Sequence, residues 1–199
     1  ATSDGLLQTV RQELARLAEP SRAAAMQAYM KSEMPYHGVS AVPLRGMCKR
    51  LFAGLRFDTA SEWTKTVRSV WNGARFREER YAALELTALK SALPFQTIAA
   101  LPLYEEMIVT GAWWDYVDFL AKSRLGLLLS QEPGPMRRVM LDWSRCEDLW
   151  KRRSAILCQL AFKQRTDTEL LYRCIEPALN SREFFLRKAI GWALRERAS

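Results

Sequence analysis

Apolar residues recur at helical spacing along almost the whole sequence. Near the N-terminus, Leu6, Val10 and Leu14 lie four positions apart, and Leu17 follows three positions later. This spacing places side chains on one face of an α-helix. The strict alternation of apolar and polar residues that indicates a strand does not occur. The chain is therefore predicted to be all-α. The same pattern recurs in three further groups: Trp63, Val67, Val70 and Trp71; Met136, Val139, Met140 and Trp143; and Trp150, Ser154, Leu157 and Ala161.

The helices are predicted to be short and numerous. About twelve segments of roughly 8–16 residues fit the pattern, with Ser21 and Ser61 as N-caps. Two neighbouring helices with their loops take up roughly 35–40 residues, which is close to the period of HEAT repeats. A globular bundle and a stack of helical hairpins both agree with this count, and the period favours the stack. A stack would offer an extended concave surface, which recurring Lys and Arg residues near the helix ends could line with positive charge. Those charges could equally belong to ordinary solvated faces.

Length and charge narrow the class of protein. The chain has 199 residues, of which 49% are hydrophobic, so a single domain with a sizeable core is expected. Its 30 Lys and Arg residues exceed its 22 Asp and Glu residues, and the net charge of +8 favours a polyanionic partner. No apolar run is long enough to cross a membrane, and the N-terminus lacks the pattern of a signal peptide. A cytoplasmic protein without a membrane partner is predicted.

Cysteine and histidine exclude several kinds of site. The four cysteines form no CxxC pair, and the apolar surroundings of Cys158 and Cys174 indicate buried, reduced thiols. His37 is the only histidine, so mechanisms that need a histidine pair are excluded. Glycine-rich phosphate loops are also missing from the sequence. We therefore expect neither a metal nor a cofactor.

The segment Trp113–Asp118 holds the first candidate site. On a helix Trp114 and Asp118 share one face, whereas Trp113, Val117 and Leu120 lie on another face that is typical of a core. An indole and a carboxylate on one face would together attract a cation. The alternative is that Trp114 packs against a neighbouring helix while Asp118 is solvated.

Three further residues occupy unusual positions. Arg153 begins an apolar helix face, where an arginine needs a partner, so it could pair with Asp118 or bind a phosphate. A salt bridge at the rim of the core is the alternative. Trp192 lies one position away from the apolar stripe Phe185–Ala189–Ala193 and shares its side with Lys188. It could face a ligand or complete the core, and Tyr29 is ambiguous in the same way.

Five segments of the sequence resemble the AlkD-type DNA alkylation repair glycosylases, a family of HEAT-like repeat proteins. They are QAYMK (27–31), YHGVSAVPLR (36–45), EEMIVTGAWWDYVD (105–118), LWKRRSAILCQLAFKQ (149–164) and SREFFLRKAIGWALRE (181–196). They occur in the family's order and span about residues 21–198. The resemblance implies an all-α superhelix of HEAT-like repeats with a concave basic groove.

The resemblance also implies an activity in base excision repair. The family hydrolyses the N-glycosidic bond of cationic alkylated purines, chiefly 3-alkyladenine and 7-alkylguanine, in duplex DNA. It does so without cutting the strand and without flipping the base. The family's catalytic positions fall on Asp118, Trp114 and Trp192. Its DNA-binding positions fall on Arg153 and Tyr29, and we expect Lys151, Arg152 and Lys188 to bind DNA beside them.

One departure from the family concerns length. The sequence stops at Ser199, after the helix of Trp192, whereas family members usually continue with one or two basic helices. We expect residues 1–199 to form one HEAT-like repeat domain, which lacks the last family helices if the chain is truncated. A monomer is expected. The alternatives to an enzyme are a non-catalytic nucleic-acid-binding scaffold of the same fold and a protein-interaction solenoid with an acidic partner.

Overall fold

The structure is a computed structural model that describes the backbone of residues 3–198 and the side chains of residues 5–198. Within that part of the chain every regular element is helical, which confirms the all-α prediction. The α-helices described there are α1 (Ser3–Arg16), α2 (Pro20–Met30), α3 (Ala41–Phe52), α4 (Ala60–Gly73), α5 (Arg77–Thr87), α6 (Leu101–Gly111), α7 (Trp114–Phe119), α8 (Gly126–Gln131), α9 (Pro133–Arg145), α10 (Leu149–Leu157), α11 (Thr168–Ile175) and α12 (Phe184–Ala198). Their number agrees with the prediction.

Two helices start earlier than predicted. Pro20 is the first residue of α2, because its fixed φ suits the first turn, so Ser21 lies inside the helix. The N-cap of α4 is Thr59 rather than Ser61, and its side-chain oxygen accepts a hydrogen bond from the Glu62 amide at 3.1 Å.

The chain divides into two compact units, unit 1 (Ala1–Phe95) and unit 2 (Gln96–Ser199). In unit 1, helices α1, α3, α4 and α5 pack on one another. The predicted apolar faces form this core, since the side chains of Val10, Leu14, Trp63 and Val67 are fully buried. Burial of these faces supplies the main driving force for folding of the unit.

Unit 1 also buries two carboxylates at the start of α5. Glu78 accepts hydrogen bonds from the backbone amides of His37, Gly38 and Val39 at 2.9–3.1 Å. Glu79 accepts one from the Arg75 amide at 2.9 Å and faces the Arg11 guanidinium at 3.2 Å. Gly38 has φ +87 and no room for a Cβ, which would lie 2.1 Å from the Glu19 carbonyl oxygen. The hydrogen bonds of Glu78 fix the loop between α2 and α3, and those of Glu79 fix the start of α5.

In unit 2, helices pack in the order of stacked hairpins. Helix α9 contacts α10 and α11, while α12 and α7 both contact α10. Contact between every second helix is typical of a helical-repeat fold, as predicted. Met136, Met140, Trp143 and Trp150 are buried as their spacing indicates. Ala161 is exposed because α10 ends at Leu157, before the predicted face is complete.

Helices α7 and α8 belong to one continuous helical segment. The six residues between them, Leu120–Leu125, form a π-helix. A π turn holds one residue more than an α turn, so it changes the direction in which the side chains on its two sides point. Such turns are frequently found next to functional sites.

The cysteine prediction is confirmed for both thiols. Cys158 and Cys174 are buried and free, and burial raises the pKa of each thiol, to about 12 for Cys174. No helix in the described part of the chain combines the length and the apolar character needed to cross a membrane.

Candidate functional site

Asp118 reaches its position through a sharp turn at the end of α6. Ala112 has the left-handed conformation (φ 45), and its amide donates to the Ile108 carbonyl, which ends the helix. Trp113 is extended and is the N-cap of α7, with a hydrogen bond from the Val117 amide to its carbonyl oxygen. Tyr116 and Val117 are fully buried and anchor the short helix. Asp118 follows them, one residue before the last residue of α7.

Arg153 is positioned by the N-terminus of α10. Asp148 caps this helix, because its Oδ1 accepts from the backbone amides of Trp150 and Lys151 at 2.9 and 2.8 Å. Arg153 comes one turn later on the buried side of the helix. Because this cap fixes the first turn of α10, it also fixes the backbone position from which the Arg153 side chain extends.

The two residues form a bidentate ion pair. Arg153 Nε donates to Asp118 Oδ1 at 2.8 Å, and Nη2 donates to Oδ2 at 2.9 Å. The side chains are 5% and 15% exposed, so water screens the pair weakly. Arg153 Nη1 donates to the Phe185 carbonyl oxygen at 2.5 Å. The sequence predicts either Asp118 or a phosphate as the partner of Arg153, and in the structure the partner is Asp118. The alternative prediction, a solvated Asp118, is wrong.

Opposing effects act on the Asp118 carboxyl. Burial raises its pKa, while the hydrogen bonds and positive charge of Arg153 lower it, and nearby Asp115 raises it further. The net pKa lies above the usual value for an aspartate. A guanidinium at 2.8 Å is nevertheless a partner for the ionised form, so the pair favours a carboxylate at neutral pH.

The two candidate tryptophans are both half-buried. Trp114 is the first residue of α7, one turn before Asp118 and therefore on the same side of that helix. Trp192 on α12 packs against the unit 2 core of Leu186 and Ala189, and its indole Nε1 donates to Glu196 at 3.3 Å. The Trp192 indole thus combines a packed side with an accessible one.

The predicted DNA-binding cations of unit 2 differ in how they are engaged. Lys151 Nζ lies 2.5 Å from Glu105 and 4.9 Å from the centre of the Trp143 ring. Arg152 donates to the Pro177 carbonyl oxygen at 3.2 Å. Lys188 is exposed on α12, with its ammonium 5.5 Å from the Phe184 ring. Of the three, Lys188 is the one whose charge is not held by a hydrogen bond to another residue in the described part of the chain.

Unit 1 contributes an exposed aromatic residue and a basic cleft. Tyr29 on α2 is 76% exposed. The cleft has a volume of about 780 Å³ and lies between α3 and the end of α5. Its charged lining residues are Arg45, Lys49, Arg56, Lys90 and Glu85.

Sequence reasoning missed the contribution of the two phenylalanines that begin α12. The helical spacing predicts Phe185 in an apolar stripe. In the structure its carbonyl oxygen accepts a hydrogen bond from Arg153, and the centre of its ring lies 5.6 Å from the guanidinium carbon. Phe184 is 61% exposed and meets Phe185 edge to face at 5.2 Å. The sequence feature that indicates this role is the pair of adjacent phenylalanines, because only one of two adjacent residues can lie in an apolar stripe on a helix.

Among the described residues, no three or more His, Cys, Asp or Glu side chains are grouped closely enough to hold a metal ion.

Comparisons with known proteins agree with the resemblance stated above. The sequence model of a family described as "DNA alkylation repair enzyme" matches residues 10–199. The fold is similar to a solved structure described as "Predicted DNA alkylation repair enzyme from Enterococcus faecalis", with a TM-score of 0.81 and 26% sequence identity. That similarity covers 91% of this chain and 83% of the other. No curated protein matches this chain.

Proposed function

Because this chain belongs to the family of DNA alkylation repair enzymes, it has a role in the repair of alkylated DNA, and we propose that it is a DNA glycosylase. Its substrates are cationic alkylated purines in duplex DNA, namely 3-alkyladenine and 7-alkylguanine. It hydrolyses their N-glycosidic bond and leaves the strand intact.

The observation that carries this proposal is the environment of Asp118. Its carboxylate is mostly buried, keeps 15% of its surface accessible and has one charged partner, Arg153. Trp114 lies one turn away on the same helix face. A fixed negative charge beside an aromatic surface is suited to a cation that develops during a reaction.

The chemistry of the substrate explains how the glycosidic bond can break without a general acid. Alkylation at N3 or N7 puts a formal positive charge on the purine. When the C1′–N9 bond breaks, its electron pair neutralises the base, so the leaving group needs no general acid. The sugar becomes an oxocarbenium ion, which water attacks at C1′. Asp118 stabilises that cation and orients the water or accepts its proton. This mechanism works without a catalytic histidine.

The remaining candidates bind the substrate. Trp114 and Trp192 pack against the deoxyribose and stabilise the cation through their ring faces. Lys188, Lys151, Arg152 and Tyr29 contact the DNA backbone. Arg153 uses three of its five N–H donors within the protein, so its main role is to hold Asp118, with two donors left for a phosphate. The basic cleft of unit 1 supports a phosphate-rich partner. The base is not enclosed in a pocket.

The test is release of 7-methylguanine from methylated duplex DNA, measured under single-turnover conditions. Wild type should release the base and leave the strand uncut until the abasic site is cleaved by alkali. Asp118→Asn should be severely impaired. Asp142→Asn, at an exposed position in the same unit, is the matched control and should equal wild type.

Other outcomes would contradict the proposal. Equal release by wild type and Asp118→Asn would remove Asp118 from catalysis. Salt-dependent binding of duplex DNA without any excision would favour a non-catalytic nucleic-acid-binding scaffold, and no binding at low salt would favour a protein-interaction scaffold.

A further inference from the structure

Arg153 is held on two opposite sides, and only one of them is Asp118. Its Nε and Nη2 face the carboxylate, while Nη1 donates to the Phe185 backbone oxygen at 2.5 Å. The guanidinium carbon also lies 5.6 Å from the centre of the Phe185 ring. Phe185 therefore contacts Arg153 twice, through its main chain and through its side chain.

The Phe185 ring is in turn fixed by two indoles. It meets Trp113 edge-on with ring centres 5.3 Å apart, and Trp150 at 5.0 Å. The two indoles also contact each other at 5.9 Å. Trp113 directly precedes α7, the helix of Asp118, and Trp150 lies one turn before Arg153 on α10. The aromatic cluster thus joins the two helices of the ion pair to α12.

Bidentate geometry depends on this support. An arginine side chain has several rotatable bonds, and an unsupported guanidinium turns toward water at little cost. Aromatic contacts and a carbonyl acceptor confine it to one plane, and both carboxylate oxygens must meet that plane at once. Loss of the ring would leave the main-chain hydrogen bond to Arg153 but remove the aromatic contacts, so the guanidinium would be held less tightly opposite Asp118.

We propose that Phe185 is a positioning residue for catalysis, which orients the Asp118 carboxylate through Arg153. As a statement about catalysis, this rests on the glycosylase function proposed above. Phe185 itself does not touch the reacting atoms. The charged groups that face Asp118 are Arg153 from α10 and Asp115 from its own helix, so a displaced Arg153 leaves the repulsion by Asp115 unopposed.

The experiment compares Phe185→Leu with a matched variant of a similar contact. Arg165 lies 5.8 Å from the Phe162 ring in the same unit, so Phe162→Leu removes a ring under an arginine outside the candidate site. We expect Phe185→Leu to lower the single-turnover rate at saturating DNA by about 10-fold. DNA affinity should change little, and the acidic limb of the pH–rate profile should move to higher pH. Phe185→Tyr should restore the single-turnover rate and the position of the acidic limb, and Phe162→Leu should change neither of them.

A second readout does not require excision. With ¹³C-labelled aspartate carboxyl groups, the titration of Asp118 is followed by NMR in the free protein, and Asp118→Asn identifies its resonance. Phe185→Leu should shift that titration to higher pH, whereas Phe162→Leu should not. Phe185→Met, a second apolar variant without the ring, is measured alongside, so the result does not depend on the folding of one variant.

The outcomes separate this inference from the proposed function. If wild type excises nothing but the Asp118 titration shifts in Phe185→Leu and Phe185→Met, the glycosylase proposal fails while the coupling of Phe185 to Asp118 stands. If wild type excises and neither the titration nor the pH–rate profile of the folded variants moves, Phe185 is not a positioning residue. The same shift in Phe162→Leu would also overturn the inference.

Discussion

Each unit of this protein buries carboxylates that face an arginine or the backbone, but the carboxylates differ in what else they contact. In unit 1, Glu78 and Glu79 are fully buried and accept hydrogen bonds from four backbone amides between them. In unit 2, Asp118 retains 15% exposure, and among the described residues only Arg153 donates a hydrogen bond to it.

This difference separates a structural carboxylate from a reactive one. Glu78 and Glu79 are fully buried, and their oxygens accept hydrogen bonds that fix a loop and a helix start, so neither carboxylate is accessible to a ligand. Asp118 has lone pairs beyond the two that Arg153 uses, and part of its surface is accessible. A carboxylate that is fixed but not saturated can act on a substrate.

The largest expected effect is that of Asp118→Asn on excision. Removal of the negative charge should lower the single-turnover rate by about 10²–10³-fold, because electrostatic stabilisation of the transition state is lost. The free energy of unfolding should fall as well, because the amide NH2 would face an Arg153 N–H donor and the buried guanidinium would lose its charge partner. Single-turnover kinetics and urea unfolding on the same preparations test this. A large loss of stability with normal excision would make Asp118 another structural carboxylate.

Glu78→Gln should lower stability without lowering the excision rate. The amide NH2 cannot accept from the backbone N–H groups that donate to Glu78, and the free energy of unfolding should fall by about 3 kcal/mol. The excision rate at saturating DNA should stay within about 3-fold of wild type under folding conditions, an energy difference below 1 kcal/mol. Glu33→Gln, at an exposed position of the same unit, should leave stability unchanged. Should Glu78→Gln reduce the rate as strongly as Asp118→Asn, the distinction between the units would be lost.

Arg153→Gln should change the pH dependence of the excision rate. Arg153 opposes the rise that burial causes in the pKa of Asp118, so its loss raises that pKa further. The ionised form is then lost at higher pH as the solution becomes acidic, and the acidic limb of the pH–rate profile should move to higher pH. Arg153→Lys keeps the charge and should shift the limb less. An unchanged limb in Arg153→Gln would show that another group controls it.

The smallest effects concern the predicted DNA-binding cations. Lys188→Ala should reduce the slope of log affinity against log salt concentration by about 0.9, the value for one phosphate contact. Lys151→Ala should reduce it less, because Glu105 already pairs with that ammonium. Fluorescence anisotropy with an undamaged duplex at several salt concentrations measures both slopes. A larger change for Lys151 would show that DNA displaces Glu105.

Local features of the site could be predicted from the sequence. Helical spacing placed Trp114 and Asp118 on one face, and it separated them from the buried Val117 and Leu120. It also marked Arg153 as an arginine in need of a partner. Such conclusions hold because they depend on residues within a few positions of one another, where helix geometry alone decides.

Long-range features could not be predicted in the same way. Arg153 follows Asp118 by 35 positions, and the two meet through the packing of α7 on α10, which spacing does not encode. The acceptor on Phe185 is a backbone oxygen, which every residue has, so no residue type indicates it. The start of α4 was predicted two residues late because Thr59 and Ser61 are both good caps and only the hydrogen bond to Thr59 decides between them.

The π turn at Leu120–Leu125 makes backbone geometry as decisive for this site as residue type. An α-helix advances about 100° with each residue. A π turn completes about one revolution with one residue more, so the same six residues wound as an α-helix would rotate α7 by roughly that angle relative to α8. Asp118 would then point away from Arg153 although neither residue had been altered. A substitution that favours α over π geometry in this segment would therefore separate the two partners.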